Sequence, residues 1–283
     1  MKVSERKNRR LIDKRTAGYI LVFFAGVFIM FYPTFSNMWN DHFFKNTITN
    51  YEKDVNGQKD RTEKELLLAR EYNDNLLPKR VPDAFSVRDG KTDREYEEIL
   101  NISNDGMMGY IDIPVIDIEI PIYHYTNEDT LKKGAGHLFG SSLPVGGKGT
   151  HCVLSAHRGL PSAKLFSELN LVETGDAFYI HVLGKTLKYE VDQTMVVEPY
   201  QTESLAVSEG KDLVTLVTCT PYGVNTQRLL VRGHRVPNDS ESAGIEKKRD
   251  YKRLLLTLLC VLGGMAMAYC ITYVLDKRKK SRL

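Results

Sequence analysis

Residues Thr215-Leu216-Val217-Thr218-Cys219 form an apolar, β-branched run that ends in a thiol. The turn sequence Thr220-Pro221-Tyr222-Gly223 follows at once, and a second apolar run, Arg228-Leu229-Leu230-Val231-Arg232, comes after it. Runs of this composition separated by turn residues predict two β-strands. If the strands pair across their connection, Cys219 at the end of the first lies beside Arg228 at the start of the second.

His157 stands at the end of another predicted strand, residues 151–156, and enters a loop rich in turn residues. Side chains at strand ends can converge on one rim of a sheet, where a substrate reaches them. A thiol with a pKa near ~8.5 is mostly protonated at neutral pH, so it needs a neighbouring base or cation. We therefore predict Cys219 as nucleophile and His157 as the proton carrier that protonates a leaving amine. Arg228 keeps its charge and suits either substrate carbonyls or an oxyanion, a choice that the sequence leaves open.

Each of these assignments has a structural alternative. Cys219 could be an inert buried thiol, or could form a disulfide with Cys152, the other cysteine of the region predicted to be exported. Cys152 itself is predicted to fill core space within a strand. His157 could be a hydrogen-bonded turn residue, and Arg228 an ordinary surface charge.

Short β-branched runs with turn residues between them occupy most of the chain after Gly106. Regular short strands of this kind are typical of a closed β-barrel or a sandwich. The predicted strands are residues 109–114, 118–123, 151–156, 177–182, 186–197, 213–219 and 228–236. The predicted fold class is therefore mainly β, with a catalytic domain over residues 105–237.

The segment before this domain, residues 36–104, is largely polar and has a helical pattern. One or two amphipathic helices are predicted over 46–77, and Pro78 ends that pattern. Residues 79–90 lack periodicity and are predicted to form a loop. A short helix is predicted over 93–100.

Two apolar segments, residues 17–35 and 254–275, are each near the ~20 residues that a helix needs to cross a bilayer. A cleaved signal peptide is the alternative for the first, but no small-x-small cleavage site follows it. Seven Lys and Arg residues precede this segment, which predicts a cytoplasmic N-terminus. Residues 1–16 and 276–283 are then basic cytoplasmic tails, residues 238–253 are a linker, and the region between the two transmembrane helices is extracytoplasmic.

The charge distribution argues against nucleic acid as a partner. The formal net charge is only +3 over 283 residues, and much of the Lys and Arg excess lies at the two ends. A nucleic-acid surface needs a basic stripe on the folded domain. The histidines have no metal-ligand spacing and the glycines lack a phosphate-loop pattern, so neither a metal nor a cofactor is predicted.

Several stretches of the chain resemble sortases, the cysteine transpeptidases of Gram-positive cell surfaces. The family signature Thr-Leu-x-Thr-Cys stands at residues 215–219, and the match continues over 221–235, 136–147 and 155–162. The second apolar segment makes the chain similar to the class C branch, which assembles pili. The resemblance implies an eight-stranded β-barrel and a catalytic trio of Cys219, His157 and Arg228.

Class C sortases tend to carry a lid across the active site, with an Asp-Pro-aromatic motif. The matching place in this chain is Asp83-Ala84-Phe85, in which alanine replaces the central proline. The resemblance implies that Asp83 pairs with Arg228 and that Phe85 covers Cys219. The missing proline leaves one backbone angle unconstrained, and an ordinary linker is the alternative.

The resemblance also implies a reaction and its partners. Cys219 attacks the Thr-Gly bond of an LPxTG-like sorting signal in a pilin subunit, and a lysine amine of another subunit resolves the acyl-enzyme into an isopeptide bond. The implied location is the cell membrane of a Gram-positive bacterium. A housekeeping sortase that joins proteins to peptidoglycan, a non-enzymatic surface scaffold and a thiol protease of unrelated fold are the alternatives.

Overall fold

The computed structural model describes residues 14–76, 82–85, 93–238 and 263–264. The helices in this part of the chain are α1 (Lys14–Gly57), α2 (Lys59–Asn75), α3 (Arg94–Glu98) and α4 (Glu128–Lys133). The strands are β1 (Met107–Ile113), β2 (Ile118–His124), β3 (Ala135–His137), β4 (Thr150–Ser155), β5 (Ala177–Val182), β6 (Lys185–Val197), β7 (Asp212–Thr220) and β8 (Gln227–Arg235).

The eight strands close into a barrel in the order β1-β2-β3-β4-β7-β8-β6-β5. Most neighbouring strands are antiparallel, but β2 pairs with β3 and β4 pairs with β7 in parallel. The ends of two parallel neighbours lie at the same rim of the barrel. The predicted eight-stranded β-barrel is confirmed, and the closed strand order excludes the sandwich.

The strands differ in how many of their residues are buried, according to whether one or both of their faces are covered. β5 alternates between buried and half-buried residues, as expected for a strand with one face toward the core. All six residues of β4 are buried, and so are the seven central residues of β7. Strands covered on both faces are fixed by packing on each side, so the two strands that lead to His157 and Cys219 are firmly held.

Strand β3 is the one that the sequence pattern did not predict. Ala135–His137 is only three residues long and pairs with both β2 and β4. Two of its residues, Ala135 and Gly136, are small and carry no β-branched side chain. A strand this short has no alternation that could be detected, and it forms because its neighbours supply the hydrogen-bond partners.

Helix α1 is continuous from Lys14 to Gly57, where the sequence predicted a membrane span and a separate helix. The helix Gly18–Gly57 contains an 18-residue window with a mean hydropathy of 1.8, which is long and apolar enough to cross a membrane, although a signal sequence meets the same criterion. The chain divides into two compact units, and the unit that contains the barrel begins at Ser36. The predicted second span over 254–275, the linker before it and both basic tails lie almost entirely outside the described residues.

From Ser36 onward, α1 packs on the barrel with one face. Phe44, Ile48, Tyr51 and Val55 are buried on this face at spacings of three and four residues, as an amphipathic helix requires. The Tyr51 hydroxyl donates to the carbonyl of Met108 at 3.0 Å and accepts from the amide of Leu183 at 2.9 Å. The helix is thereby hydrogen-bonded to two separate parts of the barrel.

The segment that contains Asp83 lies in the chain between the end of α2 and the start of α3. Asn73, in the last turn of α2, exchanges two hydrogen bonds with the backbone of Leu143, at 2.7 and 3.2 Å. Asp93 caps α3 by accepting from the amide of Tyr96 at 3.1 Å. The Tyr96 hydroxyl then contacts Nδ1 of the buried His137 at 2.7 Å. Both helices are thus attached to the region between β3 and β4.

Candidate active site

Cys219 and Arg228 are directly opposite each other in the antiparallel ladder of β7 and β8. The ladder extends by one more pair, Thr220 with Gln227, before the connecting turn. The Cα atoms of directly opposite residues are ~4.5 to 5.5 Å apart in such a ladder. Cys219 is 9% exposed, so the sulfur lies just below the rim. The neighbourhood of thiol and guanidinium that the sequence predicted is therefore present.

His157 reaches the same rim from β4. Ser155 pairs with Val217 in the parallel β4–β7 ladder, and the amide of Ala156 donates to the carbonyl of Val217 at 3.2 Å. The Thr218 hydroxyl donates to the carbonyl of Ala156 at 2.8 Å and continues the contact. His157 and Cys219 are each two residues beyond the Ser155–Val217 pair, on strands ~4.8 Å apart. Three successive strands thus bring imidazole, thiol and guanidinium together.

Asp83 lies over this rim and pairs with Arg228. The Arg228 Nε and Nη2 atoms donate to Asp83 Oδ1 and Oδ2, both at 2.8 Å. The two side chains are only 11% and 9% exposed. A two-pronged pair between a guanidinium and a carboxylate is the strongest common form of charged hydrogen bond. In this conformation the guanidinium fork of Arg228 is directed at Asp83.

Phe85 completes the cover over the rim. Its ring centroid is 6.1 Å from that of His157 and 5.0 Å from Cζ of Arg228. The second distance is within the range of a cation–π contact. Because Phe85 contacts the residues on both sides of β7, its ring lies across the end of the strand that carries Cys219.

Ala84 fixes the segment between these two side chains. It is 1% exposed and packs in an apolar cluster separate from the main core, whose other buried members are Leu138, Val153, Leu205, Val217 and Leu230. The sequence reasoning treated Ala84 only as the place of a missing proline. Its burial shows that a small apolar side chain inserts into this cluster, and a single alanine carries no sequence signal for such a role.

The electrostatic environment favours uncharged side chains. Burial raises the pKa of the Cys219 thiol above its ordinary value, Arg228 counteracts that rise, and Asp83 adds to it. Burial lowers the pKa of His157, with Glu128 opposing the shift and Lys132 adding to it. Both shifts favour a neutral thiol beside a neutral imidazole at pH 7. The covered site therefore holds its sulfur in the less nucleophilic form.

Arg158 is a further residue that the sequence reasoning did not assign to the site. Its Nη1 donates to the Thr220 hydroxyl at 2.8 Å and its Nη2 to Oδ1 of Asn170 at 2.8 Å. Thr220 follows Cys219 directly, and Arg158 follows His157 directly. This hydrogen bond therefore links the two strand ends on which thiol and imidazole stand. The sequence signal that could have indicated this role is that Arg158 directly follows the predicted site residue His157.

Cys152 and Cys219 are both free thiols, so the disulfide alternative is wrong. Cys152 is opposite Val214, five residues before Cys219 along β7, and successive residues of a strand advance by ~3.3 Å. Burial raises the pKa of Cys152 well above its ordinary value, as expected for a thiol that fills core space. Within residues 14–76, 82–85 and 93–238, no group of three or more His, Cys, Asp or Glu side chains is placed to hold a metal ion.

The sortase domain family matches residues 111–236. Sortase C-1 from Actinomyces oris, whose crystal structure is known, is 48% identical in sequence to this chain. The two structures superpose with a TM-score of 0.61, and the match covers 63% of this chain and 99% of that one. The chain belongs to the sortase family. A pilus-related sortase C of group B Streptococcus is also similar, at 40% identity and a TM-score of 0.61, over 67% of this chain and 97% of that one.

Sortases of other names match over a shorter part. Sortase A of Bacillus anthracis is 30% identical over 141 residues, which are 49% of this chain and 65% of that protein. The chain thus spans slightly less than two thirds of this curated relative. The solved sortases of the C type match over more of the chain and at higher identity than this sortase A. The predicted resemblance to class C sortases is confirmed.

Proposed function

We propose that this sortase is a membrane-anchored cysteine transpeptidase that joins pilin subunits. The observation that carries the proposal is the convergence of Cys219, His157 and Arg228 on one rim of the barrel, beneath a cover made by Asp83 and Phe85. Similarity to a pilus-related sortase supports pilin subunits as the substrate. Family membership and the apolar part of α1 support anchoring in a bilayer, and the basic N-terminal residues favour a cytoplasmic N-terminus.

In the proposed reaction, the Cys219 thiol first passes its proton to His157, and the resulting thiolate attacks the threonine carbonyl carbon of an LPxTG-like sorting signal. The Thr-Gly bond breaks, His157 gives its proton to the departing glycine amine, and a thioester to Cys219 remains. The uncharged amine of an acceptor lysine then attacks the thioester carbonyl and forms an isopeptide bond. The sulfur leaves as thiolate, and the surplus proton of the new amide passes to His157.

Arg228 changes partner in this cycle. While Asp83 is in place, the guanidinium donates to its carboxylate. Once the cover leaves, the same donors can bind a substrate carbonyl or the oxyanion of the tetrahedral intermediate. Removal of Asp83 also takes away a negative charge that raises the pKa of Cys219. Displacement of the cover thus increases both the thiolate population and the availability of Arg228.

The test is to mix the purified full chain with a pilin subunit that carries the sorting signal and an acceptor lysine. We expect a covalent adduct on Cys219 by mass spectrometry, followed by a ladder of high-mass products on a denaturing gel. Cys219→Ala is expected to abolish both, and Cys152→Ala, which removes the other described thiol, to abolish neither. An adduct without a ladder, turned over instead by a peptidoglycan-like amine, would support the housekeeping function.

A further inference from the structure

The outward face of α1 changes its chemical character shortly after Ser36. Met38 is 65%, Trp39 77% and Phe43 50% exposed. One to three turns further along, the same face presents polar exposed residues, namely Asn46, Thr49, Asn50 and Lys53. Three large apolar side chains within two turns are unexpected on a helix face that meets only water. The polar residues that follow on the same face are what such a surface normally carries.

These apolar residues are directed away from the barrel. Side chains at spacings of three and four residues share a helix face, and the buried face runs through Phe44, Ile48, Tyr51 and Val55. At 100° per residue, which follows from 3.6 residues per turn, Trp39 is more than a quarter turn away from Phe44. Another surface must therefore cover these side chains if they are to leave water.

The position of this patch along the chain identifies that surface. Trp39 is four residues after Phe35, the last residue of the predicted span, and four residues of helix rise ~6 Å. The interfacial layer on each side of a bilayer is ~5 to 7 Å thick, since the total is ~40 to 45 Å and the hydrocarbon core ~30 Å. Trp39, ~6 Å beyond Phe35, thus falls within the interfacial layer. The backbone of Phe43 is ~12 Å beyond Phe35 and lies outside the layer, but helix side chains lean toward the N-terminus, so its ring points back toward the layer. Asn46, at ~16 Å, is farther out.

We propose that Met38, Trp39 and Phe43 bind the headgroup region of a lipid bilayer, on the side where the barrel lies. Amphipathic aromatic rings are enriched at this depth because their apolar bodies leave water while polar groups remain hydrated. Lys45 is exposed and lies one helical turn after Asp41. Its ammonium group is a cation of the kind that anionic lipid phosphates attract. The inference rests on the membrane anchoring proposed above and adds to it a surface of the catalytic unit.

The same turns of α1 contact the loop that follows His157. On the side toward the barrel, the Ser36 hydroxyl donates to the carbonyl of Ser162 at 2.7 Å, and Asn40 Nδ2 donates to the same carbonyl. A lipid contact at Trp39 therefore holds this loop near the level of the headgroups. The active site would then meet substrates that are presented close to the membrane surface.

Trp39 is the only tryptophan in the chain, so its fluorescence tests the proposal without any added label. The full chain is reconstituted into vesicles of phosphatidylcholine and phosphatidylglycerol that carry bromine at shallow or deep acyl positions. We expect a blue-shifted emission, several-fold stronger quenching by the shallow bromines than by the deep ones, and weak quenching by aqueous iodide. In the matched control, Trp39→Phe with Asn46→Trp, the reporter sits on the polar part of the same face, and iodide is expected to quench it strongly.

Vesicle flotation separates failure of the inference from failure of the anchoring. If the chain does not float with the vesicles, the anchoring proposal fails and this inference fails with it. If the chain floats while iodide quenches Trp39 as strongly as the Asn46→Trp reporter, only the lipid contact is overturned. If Trp39 is shielded from iodide but no brominated lipid quenches it, the patch is covered by protein, such as a second copy of the chain, and the proposal is likewise overturned.

Discussion

In the proposed function, Asp83 acts on Cys219 in two ways, through charge and through access. Its carboxylate raises the pKa of the thiol, and its pair with Arg228 keeps the segment with Phe85 over the rim. A hydrogen bond to a charged group contributes ~1.5 to 3 kcal/mol. Loss of the pair therefore shifts the balance toward the uncovered site by about tenfold or more.

We expect Asp83→Asn to speed alkylation of Cys219 by iodoacetamide about tenfold, by the same free-energy argument. The midpoint of the pH–rate profile should move to lower pH, because the thiolate no longer faces a negative charge. The measurement is the alkylation rate between pH 6 and pH 10. Phe85→Ala is the matched variant: it should raise the rate with a smaller change in midpoint, since it removes cover but no charge. Equal rates in all three proteins would mean that this segment does not act as a lid.

Arg158 is expected to act as a positioning residue. Arg158→Gln removes the donor to Thr220 and loosens the link between the two strand ends, and misplacement by about 1 Å can lower a rate by ~10²-fold. We expect transpeptidation to fall by one to two orders of magnitude, with little change in the alkylation rate of Cys219. Asn170→Ala, which removes the acceptor of Nη2 and keeps the hydrogen bond to Thr220, should cost less. A rate for Arg158→Gln equal to that of the wild type would remove Arg158 from the site.

At the scale of elements, the Tyr96 hydroxyl couples α3 to the barrel, and its contact with Nδ1 of the buried His137 is the shortest of its hydrogen bonds. Burial lowers the pKa of His137 to about 4, so its ring is neutral. Its Nε2 donates to the carbonyl of Ser142 at 2.8 Å, which leaves Nδ1 to accept from the Tyr96 hydroxyl at 2.7 Å. The tautomer follows from this pattern of partners.

Tyr96→Phe leaves Nδ1 of His137 without that donor inside the core. We expect the free energy of unfolding to fall by ~1 to 3 kcal/mol, the usual penalty for one unpaired buried polar group. Thermal unfolding followed by circular dichroism measures the change. Tyr72→Phe, which changes a half-buried ring beside Tyr96 but keeps the hydrogen bond, should be closer to wild type. Identical losses in the two variants would contradict the role given to the bond.

The elements that the sequence predicted well are those with a strong local pattern. β7 and β8 follow from their β-branched composition, and their register then places Cys219 opposite Arg228. β3 was not predicted because three residues carry no period, and its partners are distant in sequence. The continuity of α1 was not predicted either, since the change from apolar to polar residues resembles a helix boundary although the backbone pattern does not break. The insertion of Ala84 depends on tertiary packing alone.

At the scale of the whole molecule, burial of histidines makes stability depend on pH. Burial is the main cause of a lowered pKa at His124, His137, His151, His157 and His181. Below an unfolded-state pKa of ~6.5, the unfolded chain binds protons that the folded barrel does not. Stability is therefore fully present above that pH and is lost as the pH falls through this window. The raised pKa values of Asp41 and Glu119 act in the opposite sense, at lower pH.

We expect the thermal midpoint of the chain to fall as the pH is lowered from 7 to 5. The measurement is a series of unfolding curves at constant ionic strength. His137→Gln should reduce the slope of midpoint against pH, whatever its effect on the midpoint itself, because the most deeply buried of these titrating rings is gone. A flat midpoint over this range in the wild-type chain would show that histidine burial does not govern its acid stability.

The two described thiols differ in accessibility, so chemical labelling can quantify the molecules whose active site is uncovered. Cys152 is buried within β4 and Cys219 lies beneath the segment proposed as a lid, so a bulky maleimide dye that cannot cross membranes is expected to react with only one of these two thiols. Because this alkylation is irreversible, the initial rate of dye uptake per chain reports the fraction of molecules whose segment is displaced, and on living cells it does so if the barrel is extracytoplasmic, as proposed. A change in this rate on addition of substrate would measure how far substrate shifts the equilibrium between the covered and the uncovered active site in cells.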